Sequence, residues 1–212
     1  AQDYDEYLPS GLAQEAGWAS QIVPYLKTFA VFTCSSDSTQ APANQTVMSY
    51  AQNCNVDFNY NYPNNWGQMV QVSLAQLTAP SSSVEFIEIA DCVNWLSISS
   101  PESHTSAWTP NANGYNGIAW YGTYKTGPMG GRAFATPQDT TNSTLPRHNN
   151  GSNFLACDGH VKWLPGNKVS NGFTAQAATS TQGMVGTVPT AAGTGNMTDG
   201  NGNQFTLTFS ML

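Results

Sequence analysis

An α+β fold organised on an antiparallel β-sheet is predicted by three features of the 212-residue sequence. Residues 84–91 (Val-Glu-Phe-Ile-Glu-Ile-Ala-Asp) are rich in β-branched and aromatic side chains and read as a firm strand. Two further apolar runs, 153–157 and 160–164, flank Asp158-Gly159. That dipeptide supplies the positive φ values of a two-residue type I′ turn, so the runs predict a β-hairpin. Leu12, Ala16, Ala19, Ile22, Val23 and Leu26 recur at a loosely helical spacing and add one short helix within 12–27. Long ordered loops and a β-rich C-terminal extension complete the expected architecture.

Taken in order, the chain opens with three acids and two tyrosines before Pro9 and Gly11 end any helix. The short helix follows, interrupted by Gly17 and closed by a turn at Pro24-Tyr25. Val31-Phe-Thr-Cys34 reads as a strand-like fragment entering a turn. Residues 52–68 form an Asn- and Tyr-rich loop containing Pro63, and 69–77 suit either helix or strand before Pro80-Ser-Ser-Ser closes them. In the sheet-forming run 84–91, Val84, Phe86, Ile87 and Ile89 compete for the core face. Residues 101–146 are turn-rich, with Trp108, Tyr115, Trp120, Tyr121 and Tyr124 among glycines and prolines. After Pro165 the composition shifts to Gly, Thr, Ala and Asn, which divides the chain into a head, 1–165, and an extension, 166–212. The extension ends where Phe205, Leu207 and Phe209 alternate with Thr206, Thr208 and Ser210, a strand with one buried face.

Only 9% of the residues are charged, with 6 Lys plus Arg against 13 Asp plus Glu and a net charge of −7. That is about a third of the usual globular fraction. Such a surface is polar but neutral, repels itself weakly, and can pack against copies of itself without stranding ions in low dielectric. Six scattered basic residues cannot neutralise a run of phosphates, which excludes nucleic acid as a partner and disfavours anionic membrane surfaces. No run of about 20 apolar residues and no signal peptide is present, which predicts a soluble, processed or trimmed chain.

Cys34, Cys54, Cys92 and Cys157 are an even set without CxxC or Cys/His zinc spacing. Two disulfides formed in an oxidising compartment are the preferred reading, with four free buried thiols as the alternative. If the strands at 84–91 and 153–157 pair, Cys92 lies beside Cys157 and Cys34 is left for Cys54; the other two pairings remain open. Asn44, Asn142, Asn150 and Asn196 each begin a glycosylation sequon, a match that an Asn- and Thr-rich chain also produces by chance. Asp199-Gly-Asn201-Gly-Asn203 places oxygen-bearing side chains at every second position, as a calcium loop does, but lacks a closing bidentate Glu and equally fits a tight turn. Calcium is therefore the one cofactor expected, if any.

No nucleophile elbow, zinc-protease helix, phosphate loop or paired glycosidase carboxylates appear. His148 stands at a fixed distance from Asp158, which invites a catalytic or metal reading, but a structural role, hydrogen-bonding a loop or strand end, is the preferred account. His104 and His160 have no sequence-adjacent partner. Trp66, Trp108 and Trp120 with Tyr60 and Tyr62 suit either a carbohydrate-stacking surface or cores and subunit interfaces.

The segment Arg147-His148-Asn-Asn-Gly-Ser-Asn-Phe-Leu-Ala-Cys-Asp158-Gly159 resembles the C-terminal signature of bacterial prepilin-like proteins: a His, nine residues, then Asp-Gly. Upstream, Tyr4-Asp-Glu-Tyr-Leu-Pro9, Trp18, Pro24-Tyr25 and Val31-Phe-Thr-Cys-Ser-Ser-Asp37 resemble the junction between that family's N-terminal helix and its head, with Ser35 where Pro is usual. Leu74-Ala-Gln-Leu-Thr-Ala-Pro80 leading to Ile89-Ala-Asp91 resembles its short helix and central strand. The resemblance to type IV pilins and pseudopilins thus spans about 1–165. It implies an extracellular, bacterial cell-surface subunit of a helical filament. Its implied partners are copies of itself and pilus or type II secretion assembly proteins, and it implies no catalytic residues. Calcium near the C-terminus is similar to what major pseudopilins show. The family's apolar N-terminal helix is absent from these residues, so a head released by truncation or further cleavage is expected, its C-terminal strand pairing with a neighbour's sheet edge. A secretion-system pseudopilin head or glycan-binding adhesin is the alternative, and an extracellular hydrolase the third.

Overall fold

The computed structural model describes residues 6–9, 18–57, 72–94, 106–107, 118–119, 122–131, 145–170, 175–185 and 188–212. Its strands are β1 (Thr46–Val47), β2 (Tyr50–Asn53), β3 (Val84–Ala90), β4 (Val93–Asn94), β5 (Ser106–Ala107), β6 (Ile118–Ala119), β7 (Gly122–Tyr124), β8 (Ser152–Ala156), β9 (Val161–Leu164), β10 (Val169–Ser170), β11 (Gly183–Val185), β12 (Val188–Thr190) and β13 (Leu207–Thr208). Two short helices, α1 (Trp18–Ile22) and α2 (Cys54–Asp57), accompany them, so the fold is a sheet-rich α+β arrangement. The main sheet runs β2-β5-β6-β7-β3-β8-β9, antiparallel at every pairing except β2 with β5. β3 is its hub, pairing with β2, β7 and β8.

The strand expected at 84–91 and the hairpin expected at 153–164 are β3 and the β8–β9 pair, in register from Ser152↔Leu164 to Leu155↔Val161. The turn differs from expectation. Gly159 N–H donates to the Ala156 carbonyl at 2.9 Å, and Gly159 alone has positive φ, at 90°. This is a three-residue loop closed by a glycine bulge, the other common hairpin solution, in which only the last position needs left-handed geometry. A type I′ turn occurs instead one strand earlier. Asn149 and Asn150 carry φ values of 44° and 69°, and His148 and Gly151 exchange both backbone hydrogen bonds across them. Asn tolerates this region better than other non-glycine residues.

Other local expectations are corrected. Residues 29–32 form a 3₁₀ turn rather than a strand, because Thr28 caps it by accepting from Ala30 N–H at 3.2 Å and Phe32 turns inward. α1 passes into a 3₁₀ turn over Val23–Tyr25, where Pro24 sits at the start and forfeits no helical hydrogen bond. Leu12 and Ala16 of the expected helix lie outside the described residues. Residues 74–76 form another 3₁₀ turn, held by Ser73 N–H on Gln76 Oε1.

One buried cluster joins Trp18, Val23 and Phe32 to Ile87, Ile89 and Phe154 of the sheet and to Val169, Leu207 and Phe209 from beyond residue 165. The Gly- and Thr-rich segment is therefore part of the same core, not a loose extension. Its last strand, β13, pairs in parallel with β10 of its own chain. Thr208 and Ser210 are as buried as Leu207 and Phe209, so the terminal residues have two covered faces, not the single buried face that the alternation suggests. The inward hydroxyls are satisfied locally: Thr208 donates to the Ala192 carbonyl and accepts from Ser210 N–H. A strand so enclosed is not available to a neighbour's sheet edge. A smaller cluster gathers Leu8, Val56, Val72, Leu77 and Cys157.

β3 also carries Glu85, 8% exposed, whose pKa burial raises to about 7. Between the unfolded value of 4.5 and that level, the folded chain holds a proton that the unfolded chain has released. The resulting stabilisation is fully present below the unfolded value and is lost as pH rises through about 7. Replacing Glu85 with Gln is expected to raise the unfolding free energy at pH 8 by about 2–3 kcal/mol while leaving it nearly unchanged at pH 4.5. Urea denaturation at the two pH values measures this, and an equal effect at both would contradict it.

Candidate functional site

Register fixes the neighbours of Glu88 on β3. Tyr50 of β2 lies directly opposite it, hence on the same face of the sheet, and Asn153 of β8 reaches it from another strand, with Nδ2 donating to Oε1 at 3.0 Å. His148 Nε2 lies 3.0 Å from the same oxygen. Glu88 is 1% exposed, and its Oε2 has no hydrogen-bond partner among the described residues.

His148 is aimed there by its turn. Trp163 Nε1 donates to the His148 carbonyl at 3.1 Å, and Gly151 lets the indole approach so closely that a Cβ there would meet Trp163 at 2.5 Å. The nine residues between His148 and Asp158 are therefore a measured length: the Asn149-Asn150 turn, Gly151, the five of β8 and Cys157. Cys34 arrives from the other side. Its N–H donates to Ser49 Oγ at 2.9 Å, and its Sγ lies 3.7 Å from His148 Nε2. Burial raises the pKa of Tyr50, and the nearby charges of Cys34 and Glu88 add to the shift.

Beneath this cluster lies a buried ion pair. Arg147 Nη2 is 3.1 Å from Asp37 Oδ2, with both side chains almost wholly enclosed, and the guanidinium also donates to the Ile89 carbonyl. Burial by itself would raise the pKa of Asp37. Hydrogen bonds from the Thr39 and Ser49 hydroxyls and the Thr39 N–H, together with Arg147, outweigh it and hold the carboxyl below its usual range.

Cys34, Glu88 and His148 thus bring one sulfur, one oxygen and one nitrogen donor within 4.8 Å of one another. The set is a poor nucleophilic dyad. The nitrogen facing the thiol is the one facing Glu88, so a proton donated to the carboxylate from Nε2 removes the lone pair that would take the thiol proton. As ligands, the three atoms require no such conflict.

The remaining expected sites are dispersed. Cys34, Cys92 and Cys157 are free thiols. Cys92 follows one end of β3, whereas Cys157 donates its N–H to Ser83 at the other. A strand of about 20 Å separates them, and a disulfide needs Cα atoms within about 7 Å. The expected Cys92–Cys157 pairing fails because the strands are antiparallel and Cys92 and Cys157 each follow the C-terminal end of their strand. Burial pushes the Cys92 thiol up to about 12 and raises Cys157 as well, so neither is poised to react. Cys34 faces His148; the side chain of Cys54 lies outside the described residues.

Asp199, Asn201 and Asn203 do share one pocket, but Asp199 Oδ1 accepts from the N–H groups of Asn201 and Asn203, and Oδ2 from Asn203 Nδ2. The carboxylate thereby closes a tight turn. Asn44 and Asn150 are exposed turn residues with positive φ, while the Asn196 amide is engaged by Thr179 and Thr181. Exposed His160 pairs with Asp158 Oδ2 at 2.9 Å. His104, Asn142, Tyr60, Tyr62, Trp66, Trp108 and Trp120 lie outside the described residues. Sequence reasoning missed Glu88, Cys34 as a partner of His148, and the Asp37–Arg147 pair. An acid inside an apolar strand run was the available signal for Glu88.

No protein-family model matches this chain, and neither the curated proteins nor the solved structures contain a match to it.

Removing one member of an enclosed ion pair strands the other, so Asp37→Ala is expected to lower stability by about 3–5 kcal/mol. Guanidinium denaturation tests this. A loss under about 1 kcal/mol would show the pair to be solvated and unimportant.

Proposed function

We propose that this chain is the pilin-like head of a structural subunit that assembles with copies of itself into an extracellular, pilus-like or pseudopilus filament, without catalytic activity. The observation that carries this reading is an apolar cleft of about 450 Å³ on the Glu88 face of the sheet, walled by α1, by the 3₁₀ turn over residues 29–32 and by Val161 of β9. Trp18, Ile22, Val31, Phe86, Leu155 and Val161 line it. Its rim continues into exposed apolar side chains: Val31 is 50% exposed, Val161 65% and Trp163 50%, with Tyr25 and Phe29 also open. Val161 and Trp163 are two apart on β9, the last strand of the sheet, so they project from one face beside a strand edge.

Exposed apolar area of this kind, on a chain with so few charges, fits a self-complementary protein contact better than a charged ligand. A neighbouring copy is the occupant proposed. The His148 to Gly159 signature supports the same reading, since its spacing is accounted for by the turn and hairpin that wall the cleft and needs no chemistry. Glycan adhesion is the less favoured reading, because the described lining of the cleft is mainly apolar and offers few hydrogen-bonding groups to sugar hydroxyls.

Electron microscopy of the purified chain at high concentration should show helical filaments. The double variant Val31→Glu/Val161→Glu, on exposed positions, should retain its fold and lose them. A wild-type chain that stays monomeric in analytical ultracentrifugation at the same concentration would remove the proposal, and glycan-array binding by that monomer would establish the adhesin instead.

A further inference from the structure

We propose that Cys34, Glu88 and His148 form a binding site for a single divalent transition-metal ion, zinc by preference, independent of whether the chain polymerises. Three observations lead to it. The first is the donor set: thiolate, imidazole and carboxylate together favour zinc over calcium or magnesium, which take oxygen ligands.

The second is spacing. His148 Nε2 lies 3.0 Å from Glu88 Oε1 and 3.7 Å from Cys34 Sγ. In a tetrahedral zinc site with bonds of about 2.0–2.1 Å to N and O and about 2.3 Å to S, those separations are roughly 3.3 and 3.6 Å. The two pairs that include His148 need to move by only a few tenths of an ångström, and the Cys34 sulfur and Glu88 carboxylate, within 4.8 Å of each other, close to about 3.6 Å. They come from three separate parts of the chain, each held by its own backbone contacts: Cys34 through Ser49, His148 through Gly151 and Trp163, and Glu88 through the strand ladder.

The third is the unpartnered oxygen. Glu88 is buried in the central strand, yet its Oε2 has no hydrogen-bond donor among the described residues. The Arg147 guanidinium is engaged through Nη2 by Asp37 and the Ile89 carbonyl, while its buried Nε also has no partner among the described residues. A buried carboxylate oxygen without a partner is unfavourable by about 1–3 kcal/mol or more. A cation held by His148, Cys34 and both oxygens of Glu88 removes that deficit and leaves a neutral set of one dication, one thiolate and one carboxylate.

Loading balances as follows. The Cys34 S–H bond breaks and its proton leaves to solvent as the metal–sulfur bond forms. The imidazole loses to solvent the Nε2 proton it directs at Glu88 and takes one up at Nδ1, so that Nε2 becomes a ligand and the hydrogen bond to Glu88 is given up. No electron is transferred. Asn153 continues to hold Glu88 Oε1 and so orients the carboxylate from outside the coordination sphere. With Glu88 counted as one ligand, the fourth position is left to water.

The test uses the full chain kept reduced by a phosphine. Cobalt(II) should bind with a thiolate-to-metal charge-transfer absorption, and zinc should displace it and raise the melting temperature reversibly to chelator. Cys34→Ser should abolish the absorption, while Cys92→Ser should leave it intact. Glu88→Gln, which preserves shape, and His148→Ala should each weaken zinc binding at least tenfold by competition titration. Circular dichroism identifies any variant that has lost its fold. No charge-transfer band in the wild-type chain, or a band that survives Cys34→Ser, would overturn the assignment.

Discussion

The arrangement around Glu88 depends on the enclosed ion pair between Asp37 and Arg147. Asp37 organises one side: its carboxylate takes the Ser49 and Thr39 hydroxyls, Ser49 Oγ then receives the Cys34 N–H, and Thr39 Oγ1 receives the Asp91 N–H at the end of the central strand. Arg147 organises the other, since it adjoins His148 and also binds the carbonyl of Ile89, next to Glu88. A single contact therefore places all three members of the cluster relative to one another. Enclosed pairs add little net stability when compared with apolar substitutes, because desolvation offsets much of their attraction. Their effect here is on geometry: of the many ways residues 34–39 could lie against the sheet, only one satisfies both charges.

The central strand carries two acids in different circumstances. Glu85, pushed up to about 7 by burial, is partly protonated at physiological pH. Glu88 is enclosed to a greater degree and yet is surrounded by potential partners, with Asn153 and His148 on one oxygen and none on the other. A strand with two inward carboxylates is a poor choice if packing is its only task, since an apolar residue at either place would avoid the desolvation penalty. Retaining both is easier to understand if at least one of them binds something, and the asymmetry of Glu88 indicates which.

The sheet and its hairpin were legible because their signals are local. β3 announces itself through β-branched density, and the β8–β9 hairpin through two apolar runs around a glycine. The turn type was misread because Asp158-Gly159 suits two hairpin geometries, while Asn149-Asn150, which adopts the one expected, lacks the glycine that usually marks it. Residues 31–34 have strand composition, but a threonine cap and the burial of Phe32 decide for a tight turn. The cluster could not be read at all from spacing: Cys34 and His148 are 114 positions apart, and Glu88 and His148 are 60 apart. Only the register of β2, β3 and β8 and the clamp at Arg147 bring them together, and both are tertiary. The even cysteine count pointed to disulfides because composition carries no information about which end of a strand a residue occupies.

The cleft and the cluster are not separate features of this surface. Tyr50, Glu88 and Asn153 belong to the wall of the cleft, and the same Tyr50 and Glu88 face Cys34 and His148. Whatever fills the cleft contacts side chains whose charge and orientation the cluster sets. Without a cation, Glu88 places an oxygen with no hydrogen-bond partner among the described residues at the wall of an apolar groove, which disfavours covering it with another apolar surface. With a cation held by thiolate and carboxylate, that wall is neutral and its side chains are fixed. Under the filament reading, a bound metal would thus favour subunit contact without touching the neighbour. The energetic link is the removal of one unpartnered oxygen from the surface that becomes enclosed. Under that reading the coupling follows from shared residues, and it would give the His148 turn a role in assembly through the sheet face without the imidazole meeting a second subunit.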